Sequence, residues 1–155
     1  MFFAKNLSKN SEITHCFFSR KNGVSKNIYK SLNSGLGSED KKNNINKNLR
    51  IISKKIGCDY KDIITMKQTH SKKIIFIGKG KSNKKKFICD ALLTNKKKIC
   101  ISVLAADCVP ILLYDPQQNI IGVIHAGWKG LYKGIIHKTI EKLFKLGVKK
   151  TNLIV

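Results

Sequence analysis

The amino-acid sequence predicts an α/β or α+β fold, a mixed sheet with flanking helices, and three observations carry that expectation. Short β-branched runs alternate with two stretches of helical periodicity, the mixture that layered sheet-and-helix packing requires. Of the 155 residues, 42% are hydrophobic, enough to bury one sizeable core. The turn sequence from Asp115 to Asn119, with Pro116 in its second position, separates two apolar runs as a hairpin would. No repeat or low-complexity linker divides the chain, so residues 1–155 read as a single domain.

The first helical stretch is "EDKKNNINKNLRIISKKIG". Ile45, Leu49, Ile52 and Ile56 recur at helical spacing, Ser38 or Asp40 is placed to cap the start, and Gly57 supplies the stop. Strands are then expected over residues 63–67, 73–78, 87–94, 99–105, 111–114 and 120–125, the last two as an antiparallel hairpin. The second helical stretch, "GLYKGIIHKTIEKLFKLG", puts Leu131, Ile135, Ile136, Ile140, Leu143 and Phe144 on one stripe, closed by Gly147. His137 falls off the centre of that stripe and reads as a surface residue. The final "VKKTNLIV" reads as the start of a further strand, so the domain is expected to lack its C-terminal portion.

A net charge of +22 raises nucleic acid as a partner. Against that, Arg20 and Arg50 are the only arginines, and arginine is the side chain that reads bases and phosphates with a two-pronged grip. The lysines are spread along the chain and read as a solvated coat; their densest run, from Gly78 to Lys86, reads as an exposed loop. The opening "MFFAKNLSKN" is too short an apolar run for a signal peptide or for the roughly 20 residues of a spanning helix. Five cysteines, an odd set with no C-x-x-C pair, argue against a disulfide framework and fit a reducing cytoplasm.

Three side chains at expected strand ends carry reactive chemistry: His70 in "MKQTHS", Cys108 in "LAADCVP" and His125 in "VIHAGWKG". Two imidazoles and a thiolate suit Zn²⁺ with a fourth position open. Each also has a bland reading, as a hydrogen-bonding histidine or a packed cysteine. Gln68, Thr69, Asp107, Gly127 and Gly130 flank them, and glycines beside His125 let backbone approach a ligand closely. The same residues admit a second chemistry, Cys108 as a nucleophile with His125 as its base. The spacing leaves both open. If the strand at 99–105 neighboured that at 120–125, Cys108 and His125 would converge.

Beyond these residues, "THCFFSRKNGVSKNIYKSLNSGLGSED", "KQTHS", "CDALLTN", "VLAADCVPILLYDP" and "GVIHAGWKGLYKGI" resemble, in order, successive motifs of the laccase-domain family, formerly called multicopper polyphenol oxidoreductases. That family includes purine nucleoside phosphorylases with adenosine deaminase activity and proteins called peptidoglycan editing factors. The resemblance covers nearly the whole chain from Thr14 onward. It implies a fold like that of cysteine-hydrolase toxins and a zinc site at His70, Cys108 and His125. It also implies phosphorolysis of adenosine, inosine and 5′-methylthioadenosine, deamination of adenosine, and nucleoside and phosphate as the partners. A family segment rich in Gly, Pro and Cys would follow Val155. Two departures stand out: Lys21-Asn22-Gly23 where Gly-Gly is usual, and Asn95 where an acidic residue is common.

By the same resemblance Cys108, His125 and Asp107 are the catalytic candidates, Asp107 as a ligand-orienting or proton-accepting carboxylate or else a cap on nearby amides. Arg20 and Asn33 are candidates for phosphate or ribose, or else turn residues. Gln68 and Asp90 hold either the base or the ligands, and Trp128 is either core or a stacking platform. Copper fits less well than zinc, because four histidines are too few for a multicopper site. The runner-up activity is a Cys/His hydrolase acting on an amide in peptidoglycan precursors.

Overall fold

A computed structural model describes residues 1–78 and 87–155; the lysine run expected as a loop lies, past Gly78, outside the described residues. The chain forms two compact units, Met1–Ile63 and Ile64–Val155.

The first unit is built on α1 (Lys42–Ile56), which buries Ile45 and Leu49 and ends at Gly57 in the left-handed conformation (φ 77°), as its sequence predicts. Its start differs from expectation. The N-cap is Lys41, with no side-chain cap; neither Ser38 nor Asp40 takes that place. The Asp40 carboxylate is divided instead: Oδ2 holds the preceding loop, accepting from Ser25 Oγ at 2.5 Å and Asn33 Nδ2 at 3.1 Å, while Oδ1 accepts from the Lys41 N–H at 2.7 Å and the Asn44 side chain at 3.3 Å rather than from an amide of the first turn. Buried Asn48, on α1, fastens the same loop: its Oδ1 accepts from the Val24 N–H at 2.8 Å, and its Nδ2 donates to Ser25 Oγ and the carbonyls of Ser31 and Asn33.

Strand β1 (Ile63–Ile64) leads into the second unit, followed by β2 (Met66–Lys67), β3 (Ile74–Ile77), β4 (Phe87–Ile88), β5 (Ala91–Thr94), β6 (Cys100–Ile101), β7 (Val109–Asp115) and β8 (Ile120–Ala126). The principal sheet runs β3-β5-β8-β7, with β3 and β5 parallel and the rest antiparallel, while β2 pairs with β4. A mixed sheet with flanking helices is the predicted class. Every residue of β5 is buried, because one face carries Ala91 and Leu93 against α3 (Ile135–Lys145) and the other carries Leu92 against Met66, Ile77 and Val123.

Three expectations are corrected here. The expected strand at 99–105 forms only at β6, and the neighbours of β8 are β5 and β7, so β6 is not what brings Cys108 to His125. The run at 87–94 breaks at Cys89 and Asp90, whose carboxylate turns to partners described below. The second helix is two: α2 (Trp128–Tyr132) stops before Gly134, whose φ of 80° ends one helix and starts α3. The break leaves Leu131 exposed, and the buried line on α3 is Ile135, Thr139 and Leu143, with Ile136 and Phe144 outside it. Thr139 is tolerated there because its hydroxyl donates to the Ile135 carbonyl at 2.7 Å. His137 is exposed beside Glu141, as read from the sequence. Past Gly147, Ile154 bridges Tyr114 on the edge of β7.

Candidate metal centre

The site lies in the second unit, at the end of the β7–β8 hairpin away from its turn. Register pairs Val109 with Ala126 and Pro110 with His125. The next residues outward, Cys108 and Gly127, therefore face each other, and the hairpin expected from the sequence brings Cys108 beside His125 without the 99–105 segment. His70 arrives from the segment between β2 and β3. One ligand atom from each of His70, Cys108 and His125 lies within 4.8 Å of the other two. The Cys108 Sγ and His70 Nε2 are 3.6 Å apart, and the two imidazole rings meet edge to face with centroids 4.7 Å apart.

Asp90 organises this cluster. Its carboxylate is fully buried. Oδ1 accepts from the His70 N–H at 3.0 Å and faces His125 Nδ1 at 2.9 Å; Oδ2 accepts from the Ser71 N–H at 2.7 Å and the Ser71 hydroxyl at 2.6 Å; the Thr69 N–H is shared between both oxygens at 3.2 Å. Burial pushes the carboxyl upward, yet the bonds from Ser71, His125 and the backbone outweigh burial and hold it below the usual carboxylate range. Three successive amides converging on one group bend the chain so that His70 takes φ 54°, a conformation costing of order 1–3 kcal/mol for a residue with a side chain. Next to it, burial and the Asp90 charge drive the Cys89 thiol up to about 12.

The residues fit a zinc ion on two grounds. A thiolate and an imidazole sharing one tetrahedral zinc, at about 2.3 and 2.0 Å, stand about 3.5 Å apart, which is the separation of Cys108 and His70. Gly127 keeps the space clear: a Cβ there would overlap the His70 ring and lie 3.0 Å from the Cys108 sulfur.

The remaining candidates are placed as follows. Both amide atoms of Gln68 are tied to Leu104, its Nε2 donating to the carbonyl at 2.7 Å and its Oε1 accepting from the N–H at 2.8 Å. Asp107 is exposed beside Cys108. In the first unit, Arg20 donates from Nε to the Lys30 carbonyl at 2.6 Å, and Asn33 forms an Asx turn with the Gly35 N–H. Trp128 is 71% exposed, with the Lys129 ammonium 5.2 Å from its ring, so it is not core. Sequence reading assigned no role to Ser71, which gives Asp90 two hydrogen bonds; a hydroxyl beside a histidine in "QTHS" is too common a pattern to signal it.

A sheet whose hairpin end and neighbouring loop bring two histidines and a cysteine together over a buried aspartate defines an α/β protein with a His/Cys cluster that could hold a metal ion. The family described as multi-copper polyphenol oxidoreductase laccase matches residues 14–155, and the chain belongs to it. Purine nucleoside phosphorylase YlmD of Bacillus subtilis is 31% identical over 147 residues, covering 90% of this chain and 53% of the relative. A purine nucleoside phosphorylase of Clostridium acetobutylicum is 39% identical over 112 residues, 72% of this chain and 44% of the relative. The solved structure of the hypothetical protein YfiH of Bacillus licheniformis matches with a TM-score of 0.81 at 26% identity, over 86% of this chain and 53% of that one. The chain thus spans about half the length of the relatives it matches.

Proposed function

We propose that this chain carries the metal-binding part of a zinc-dependent purine nucleoside phosphorylase acting on adenosine, inosine and 5′-methylthioadenosine, with adenosine deamination as a second activity. The observation that carries the reading is the convergence of His70, Cys108 and His125 around a space that Gly127 leaves clear. The phosphorylase names of the relatives support the substrate class.

His70, Cys108 and His125 would hold the zinc, which would supply a Lewis acid to the site. The chain's own residues do the rest. Asp90, with its oxygens spent on His125 and the Thr69–Ser71 amides, supports ligands rather than touching a base. Gln68 pins the Leu104 segment that leads toward Cys108. Asp107, exposed next to Cys108, is the carboxylate available to take or give a proton. Arg20 and Asn33 are proposed for phosphate and ribose; the Asn33 amide also orders its own loop through Ser38 and Asp40. The cytoplasm is the proposed compartment, supported by an odd set of five cysteines with no C-x-x-C pair, a pattern that suits reducing surroundings. Among the described residues no helix is long and apolar enough to cross a membrane.

The test is metal analysis together with base release from inosine, using the full natural protein. One zinc per chain and hypoxanthine release that requires phosphate, stops with a chelator and returns with zinc are expected. Stoichiometric zinc without base release from any purine nucleoside would end the phosphorylase reading.

A second reading, a metal-free hydrolase of amides, is favoured by one observation: the Cys108 sulfur is within hydrogen-bonding range of an imidazole nitrogen. That imidazole belongs to His70, not to His125 as the sequence paired them. Under this reading a thiol-alkylating reagent abolishes activity and a chelator leaves it intact.

A further inference from the structure

Two of the three ligand side chains depend on a group that is not a ligand. Asp90 reaches His125 through a side-chain nitrogen and His70 through the backbone, from one carboxylate between β4 and β5. These are different kinds of control. A carboxylate has acceptors only, so the neutral imidazole that meets it must donate from Nδ1. That choice leaves His125 Nε2 bare, and a bare nitrogen is what a metal takes. On the other side, the amides of Thr69, His70 and Ser71 are gathered on the same group, which holds His70 in its left-handed conformation and so fixes where its ring leaves the chain.

The geometry points to Asp90 as the positioning residue of the centre, setting the tautomer of His125 and the backbone of His70 together. The inference rests on reading His70, Cys108 and His125 as metal ligands. Its consequence is that the two imidazoles are not independently adjustable, because whatever loosens Asp90 loosens both.

Asparagine is the sharpest probe, since it keeps the shape and replaces one acceptor by a donor. With its NH₂ in the place of Oδ1, it faces the His70 N–H donor and asks His125 Nδ1 to accept, which moves the ring proton to Nε2. With its NH₂ in the place of Oδ2, it faces the Ser71 N–H, and the turn carrying His70 is pushed open. Either orientation disturbs a ligand. A carboxylate also accepts from Nδ1 in both orientations of its plane, whereas an amide does so in only one.

The experiment measures histidine ¹⁵N shifts in the metal-free protein and zinc affinity by competition with a chromophoric chelator, for wild type, Asp90→Asn and Ser71→Ala. In wild type, His125 is expected to carry its proton on Nδ1. In Asp90→Asn the Nδ1-protonated share falls and the zinc Kd rises about 10- to 100-fold. Ser71→Ala, which takes the hydroxyl donor from Asp90 Oδ2 but keeps the Ser71 amide and the Oδ1 contact to His125, leaves the His125 proton on Nδ1 and weakens zinc less than Asp90→Asn does. A wild-type His125 protonated on Nε2 would overturn the inference, as would zinc binding by Asp90→Asn within about threefold of wild type. Should Asp90→Asn not fold, the wild-type tautomer decides alone. A wild-type protein that binds no zinc defeats the metal reading itself, and the tautomer still reports separately whether Asp90 directs His125.

Discussion

Each unit of the chain buries one polar hub, and the two hubs differ in what their partners have left to give. Asn48 in the first unit spends its amide on Val24, Ser25, Ser31 and Asn33, and those partners are backbone groups and a serine that close the loop upon itself. Asp90 in the second unit is as fully engaged, but two of its partners are histidines whose rings reach beyond it to meet Cys108. A hub whose partners end in inert groups is scaffold. One whose partners carry further reactive atoms is the support of a site. Burial and hydrogen-bond number alone do not separate them.

The largest test of that contrast removes a ligand or fills the space between ligands. Cys108→Ala and Gly127→Ala should each weaken zinc more than about 100-fold by direct titration, since three protein ligands leave none to spare. Far-UV circular dichroism should be unchanged in both, because a half-buried thiol is far less core volume than a leucine. Wild-type affinity in Gly127→Ala would show that the His70 ring can move aside, and that the cleared space means little.

On the scaffold side, Asn48→Ala strands the Val24 amide and the Asn33 carbonyl, while the Ser31 carbonyl keeps its bond from the Ser25 N–H. Stability should fall by about 2–4 kcal/mol in urea denaturation, with zinc stoichiometry of the folded fraction unchanged. Loss of zinc at full stability would invert the roles assigned to the two hubs.

A smaller effect follows from Asp40. Its hydrogen bond from Ser25, more than opposing desolvation, holds its carboxyl below the ordinary range. The folded value is therefore the lower one. The unfolded chain takes up its proton first as pH falls below about 4; the stabilisation is whole above that and lost through the folded value. Asp40→Asn should flatten the acid limb of a stability–pH curve by lowering the neutral plateau toward the acid level, because the amide lacks the charge whose stabilisation is whole at neutral pH; an identical acid limb would count against the Ser25 bond.

The slightest signal is chemical. With its thiol pushed to about 12, Cys89 should hold about one part in ten thousand as thiolate at pH 8. Mass spectrometry after brief alkylation of the folded protein should find Cys89 unmodified, and rapid labelling there would mean the interior beside Asp90 opens readily.

Much of the centre was legible before the structure because it depends on residue identity: a histidine or a cysteine at the end of an apolar run shows in one dimension. Part of the route was legible as well, since the turn around Pro116 marked the β7–β8 hairpin. The strand on the other side of β8 was not: whether β6 or β5 lies there is decided by long-range pairing, and both segments are apolar. Asp90 was harder still. Inside "FICDALLT" it reads as one member of a continuous strand, and its donors Ser71 and Thr69 stand some twenty positions earlier. At the helix level, Ile45 and Leu49 forecast α1 from periodicity, whereas Gly134 sits inside an equally periodic stretch and breaks it through a backbone angle that periodicity does not encode.

The hairpin that joins Cys108 to His125 works as a gauge. From Asp115 opposite Ile120 to Val109 opposite Ala126 it has seven paired positions, so the turn at its tip stands about 20 Å from Cys108 and His125. Side chains alternate faces along a strand, and a slip of one residue at that tip would send His125 to the opposite side of the sheet. Adding one residue to each strand would keep Cys108 and His125 in phase; adding one to a single strand would not. The loop from Pro116 to Asn119 touches none of the chemistry, yet its length decides whether thiol and imidazole ever meet.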